Sequence, residues 1–200
     1  MHRVQLVPVL LAIALTRVNA QSLAARVGGL DGVVQVIYPS RAAACGDGDG
    51  MMGGVIGSGR STYYSGNATY SGRGSWTNRP CLHGPARVLA TVVSGEVTRL
   101  RAYVGPVPEP RPDTRSINPT AQDAAGWLAD IIARSTYRSA SEAMLPLVVA
   151  EGSNPCPLLL RVARDESRPR NVRRSAIGDR LVVAGSERAS WTRRRRGFVG

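Results

Sequence analysis

The chain has 200 residues, 26 arginines, no lysine and 14 acidic residues, giving a formal net charge of +12. Without lysine there is no Schiff-base lysine, no Ser/Lys dyad and no phosphate-loop lysine. The charge is uneven: residues 21–160 carry a net +2, and residues 161–200 a net +8.

The first twenty residues, MHRVQLVPVLLAIALTRVNA, place Arg3 before a mostly apolar run from Val4 to Leu15 and end on Val18, Asn19 and Ala20. That is a secretory signal pattern, with cleavage expected after Ala20 and a secreted or periplasmic destination. The run is interrupted by Gln5 and Pro8 and closed by Arg17, and is shorter than the roughly 20 apolar residues a bilayer span needs. Export sets the redox compartment, in which disulfides persist. Of Cys45, Cys81 and Cys156, the first two lie in one Gly/Ser/Asn-rich region. They are the expected pair, leaving Cys156 free.

Residues 21–105 are expected to be β and loop. GVVQVIY, Gly32 to Tyr38, is rich in β-branched residues and bounded by turn formers. CGDGDGMMGG follows from Cys45 to Gly54. Its Asp47-Gly48-Asp49-Gly50 lacks the spaced ligands and closing Glu of a calcium loop, and the lysine of a phosphate cradle. The expected structure is a disulfide-anchored turn without metal or cofactor. GSGRSTYYSGNATYSGRGSWTNRP is too polar for core and predicts a long loop or two weak edge strands; Asn67-Ala68-Thr69 within it fits the N-glycosylation acceptor pattern. His83, the only histidine after the leader, stands in a CLHGP turn, so any Ser/His/Asp, Cys/His or zinc chemistry would have to use it. RVLATVV and EVTRLRAYVG around Ser94-Gly95 predict a hairpin over 87–104, with Thr98, Leu100, Ala102 and Val104 on the core face. Val97 breaks that alternation.

Residues 106–117, PVPEPRPDTRSI, predict a Pro-rich linker. Beyond it the period changes to about 3.6, so 118–177 is expected to be helical. Thr120 with Asp123 caps a helix with the stripe Ala121, Ala124, Ala125, Leu128, Ile131 and Ile132. Ser139 and Glu142 form a capping box for a second helix, which Pro146 should kink or divide. A third is expected from about Pro155 to Asp165, with Cys156 in its first turn, and a fourth from near Arg170 with Val172, Ala176 and Ile177. Residues 178–200 predict a basic, disordered tail. Its run Arg193, Arg194, Arg195 and Arg196, between Trp191 and Phe198, is a candidate contact for an anionic polymer or lipid surface.

LLLRVARDESRPRNVRRSAI resembles a HEAT repeat, an apolar helix, an Asp/Pro turn and a Val-Arg-Arg helix. The wider layout is similar to secreted bacterial HEAT-repeat domain-containing proteins. That resemblance implies an α+β chain: a small disulfide-linked β/loop region, then a HEAT-like helical region whose last repeat is curtailed at Gly178. The function expected is an exported, non-enzymatic interaction or structural module with a protein partner on the helical face and no specific nucleic acid. The alternative is an exported hydrolase working through His83 or a carboxylate pair.

Overall fold

The computed structural model describes residues 22–49, 51–56, 60–65, 68–72, 82–135 and 138–178. Residues 1–21, Cys81, Asn67 and everything after Gly178, including Arg193–Arg196, lie outside the described residues.

The main sheet is mixed and four-stranded. Strand β1 (Gly32–Tyr38) sits at its centre, antiparallel to β6 (Ala86–Val93) and parallel to β8 (Arg115–Ile117), while β7 (Glu96–Val104) pairs antiparallel with β6 at the edge. Val34, Val36 and Tyr38 alternate into the core from β1, and Ala86, Val88, Ala90 and Val92 from β6, because a pleated strand sends every second side chain to the same face. The stretch expected as a linker thus contributes a strand.

The hairpin forms at Ser94-Gly95, both at positive φ (51° and 80°), the backbone of the primed two-residue turn that matches strand twist. Leu100 and Val104 are buried and Ala102 packs partly against the core, as the alternation predicts, whereas Thr98, expected on the same face, is exposed. A register shift between Thr91 and Val92 lets Val97 pair with Val92 while Arg99 pairs with Thr91. The bulge puts Val97 back on the core side, which is why the sequence lost its alternation there.

The helices cover one face of this sheet. Short α1 (Leu23–Gly28), capped by Ser22, contributes Leu23 and Val27. Helix α2 (Ala121–Arg134) opens on Thr120, whose Oγ1 accepts from the Asp123 N–H at 3.1 Å, and buries Ala124, Trp127, Leu128, Ile131 and Ile132. Helix α3 (Arg138–Val149) packs on α2, β6 and β7. Two details differ from expectation. Pro146 lies inside an unbroken α3. Ser139 is within the helix and meets Ser135, while Glu142 uses one oxygen on Arg138 and accepts the Leu100 N–H with the other at 2.8 Å. Glu142 therefore occupies a backbone donor of the edge strand rather than a helix cap. Helix α4 (Cys156–Arg164) and a last helix, α5, at 170–178 follow; Leu159, Val162, Val172 and Ala176 join the same core.

The second sheet is an antiparallel meander of β2 (Ala44–Gly46), β3 (Met51–Ile56), β4 (Arg60–Ser65) and β5 (Ala68–Gly72), inserted between β1 and β6 and touching β7.

The expected division into a small disulfide-linked β region and a HEAT-like helical region is corrected. The β part is two four-stranded sheets, and the main one shares a continuous core with every helix. No HEAT-like repeat is present among the described residues: α2 and α3 pack on each other and α3 lies on the main sheet, with no stack of helix pairs. An apolar helix, short turn and second helix has the same spacing whether it stacks on a repeat or covers strands. No bridge joins two described cysteines; Cys45 is disulfide-bonded, Cys81 lies outside the described residues, and Cys156 is free and half-buried.

Candidate functional site

His83 and Asp47, two of the residues singled out for chemistry, hydrogen-bond to nearby backbone. His83 Nδ1 lies 3.0 Å from the Ala44 carbonyl, while Asp47 accepts the Asp49 N–H at 3.1 Å in the turn between β2 and β3. Among the described residues no group of three His, Cys, Asp or Glu side chains is placed to hold a metal ion, and no helix is long and apolar enough to cross a membrane.

The glycine-rich turn has a different task. Gly48 has φ of +79°, and a Cβ there would fall 2.0 Å from the Pro106 carbonyl oxygen. Only glycine permits this backbone-on-backbone contact. Its own carbonyl accepts from Arg87 Nη2 at 2.6 Å. Arg87 is buried on the sheet face away from the helices, with Nη1 3.4 Å from Gln35 Oε1 and its guanidinium 4.4 Å from the centre of the Tyr103 ring. Gln35 Nε2 in turn donates to Ser116 Oγ at 3.2 Å. Burial lowers the Arg87 pKa from its ordinary value, opposed by Tyr103 and Asp49. One arginine thus fastens the turn to β1 and β7, a role that nothing in the local sequence announces.

Two more arginines close helix ends. Arg41 Nε donates to the Ala150 carbonyl at 3.2 Å and its Nη2 reaches Ser153. Arg168 reaches the carbonyls of Ile132, Ala133 and Ser135 beyond the last turn of α2. A guanidinium suits these sites because it meets several orphan carbonyls and the negative end of the helix dipole at once. Asp165 supports Arg168 from 3.5 Å, and the Ser167 hydroxyl is the main cause that holds its carboxyl below the ordinary value.

What the helical layer leaves open is a groove of about 710 Å³ between α2, the end of α3, the connection to α4 and the first turns of α4. Its apolar lining is Ala121, Ala125, Gly126 and Ala129 from α2, facing Leu147, Pro155 and Leu158. Its polar rim is Gln122 on the α2 side and Glu151, Ser153 and Asn154 on the connection. Ser153 Oγ is committed to the Leu147 and Ala150 carbonyls at 2.8 and 3.0 Å. The carboxamides of Gln122 and Asn154 make no hydrogen bond among the described residues. His83, Asp47, Asp49 and Cys156 are absent from this groove.

Ala121 and Ala125 are expected in the α2 core stripe, an expectation that does not include Trp127. They are only half-buried and line the groove, while Trp127 is buried. Gly126 was the available signal: a mid-helix glycine costs stability, and the open space around it shows what the missing side chain leaves free. No family model matches the chain, and no similar curated protein or solved structure was found.

Proposed function

We propose that the chain is an exported binding module that takes an extended peptide segment with small apolar side chains in the α2–α4 groove. One observation carries the reading: an apolar floor of small residues is flanked by unengaged carboxamides, Gln122 on one wall and Asn154 on the other. A carboxamide presents both a donor and an acceptor, the pair that a peptide backbone needs, and a floor without bulky side chains admits a chain lying close to the helix. Export is supported by the pattern of residues 1–20. The groove lies on the helical layer, which supports a binding role for that layer without a repeat array.

The test is to pan random displayed heptapeptides against the mature chain and its Gly126→Trp variant, using circular dichroism to establish that both are folded. Peptides enriched on the parent should lose at least tenfold in affinity on Gly126→Trp, because the indole fills the floor. Enriched peptides that bind both proteins equally would contradict the groove, as would no enrichment at all.

A further inference from the structure

We infer that the exposed face of α5, residues 170–178, docks on an anionic lipid surface, with Arg170, Arg173 and Arg174 on headgroup phosphates and Ile177 entering the interface between them. At 100° per residue, Ile177 follows Arg170 by seven positions, Arg173 by four and Arg174 by three, so the four side chains share one stripe. Val172 and Ala176, both fully buried, fix the other side of the helix against the core. Arg170 and Arg174 are exposed, Arg173 is half-buried, and Ile177 is 53 % exposed.

These arginines differ from those the fold has consumed. Arg41, Arg87 and Arg168 are spent on carbonyls, and Arg134 and Arg138 on carboxylates one helical turn away. None of the three on α5 has an ion pair or side-chain hydrogen bond among the described residues, and Arg173 Nε is a buried donor without an acceptor. The helix carries no acidic residue to compete for them.

Three free guanidiniums alone would suit any polyanion. The exposed Ile177 among them selects a lipid surface, where an apolar side chain gains by leaving water while the arginine heads stay at phosphate level. A polyanionic polymer offers no apolar layer for it. This inference stands independently of the α2–α4 groove.

The experiment uses the full mature chain, so that residues 179–200 are present in every sample. Sedimentation with vesicles of mixed phosphatidylcholine and phosphatidylglycerol is compared with phosphatidylcholine alone, at low and moderate salt, with retention on heparin as the polymer arm. The parent should bind only the anionic vesicles, and salt should release it. Arg170→Gln with Arg174→Gln should weaken vesicle binding on the order of 20-fold, at roughly fivefold per charge. Ile177→Ser should weaken it about fivefold and leave heparin retention unchanged. All substituted sites except Ile177 are free polar tips, and a matching thermal midpoint confirms that each variant is folded. The inference is overturned if the parent ignores anionic vesicles or if the double variant binds like the parent. It is equally overturned if Ile177→Ser binds vesicles like the parent, since adsorption would then be purely electrostatic.

Discussion

Tyr38 shows how one side chain joins the two layers. It ends β1 on the core face, and its hydroxyl donates to the Pro146 carbonyl in α3 at 2.9 Å. That carbonyl is free because α3 ends at Val149 and the Ala150 N–H turns to Leu147 at 3.3 Å. Burial raises the Tyr38 phenol far above its ordinary value of 10.0. The sign follows: below pH 10 both folded and unfolded chains keep the proton, and above it only the unfolded chain can release it. Stability is therefore complete below about pH 10 and falls as pH rises further. Tyr38→Phe should cost about 1 kcal/mol at neutral pH, from the lost hydrogen bond, and should flatten the decline in urea midpoint above pH 10. Equal alkaline slopes for parent and variant would contradict the role assigned to the phenol. The sequence announced Tyr38 as the end of a strand, but not its partner 108 residues away. The same limit applies to Arg41, Arg87 and Arg168, which read as charge in the sequence and act as donors to distant carbonyls. Composition counts guanidiniums without saying which ones the backbone consumes.

Among the elements, legibility followed periodicity. The α2 stripe and its Thr120 cap, the β1 strand and the Ser94-Gly95 hairpin are local patterns and could be read directly. Short α1 and β8 could not, since six and three residues hold too little period to register. The HEAT resemblance failed for a physical reason: α2 and α3 needed only a cover for their apolar faces, and their mutual packing together with the main sheet under α3 supplied it. Within α2, Gly126 separates stability from binding. Its φ is helical and a Cβ there would meet nothing within 4 Å. Gly126→Ala should therefore stabilise the fold by about 0.5–1 kcal/mol, seen as a higher urea midpoint. In the proposed groove the added methyl should also weaken peptide binding a few fold. A variant that is both more stable and equally competent would show that the glycine does not shape the site.

At the scale of the whole molecule, a helical layer covers one face of a mixed sheet, and the inserted meander is fastened beside that sheet by Gly48 and Arg87. The open groove lies between α2 and the connection into α4, built from residues 121–129 and 147–158. Its walls come from segments whose juxtaposition depends on how α3 packs, so a one-dimensional reading could nominate the α2 face and not the cleft. The most direct measurement is amide chemical-shift mapping of residues 21–200 during titration with a peptide enriched on them. The account predicts saturable shifts at Ala125, Gly126, Gly152 and Asn154, with Arg87, Gln35 and α5 unmoved. Shifts confined to the Arg87 face of the sheet or to residues 170–178, with the groove amides silent, would contradict it.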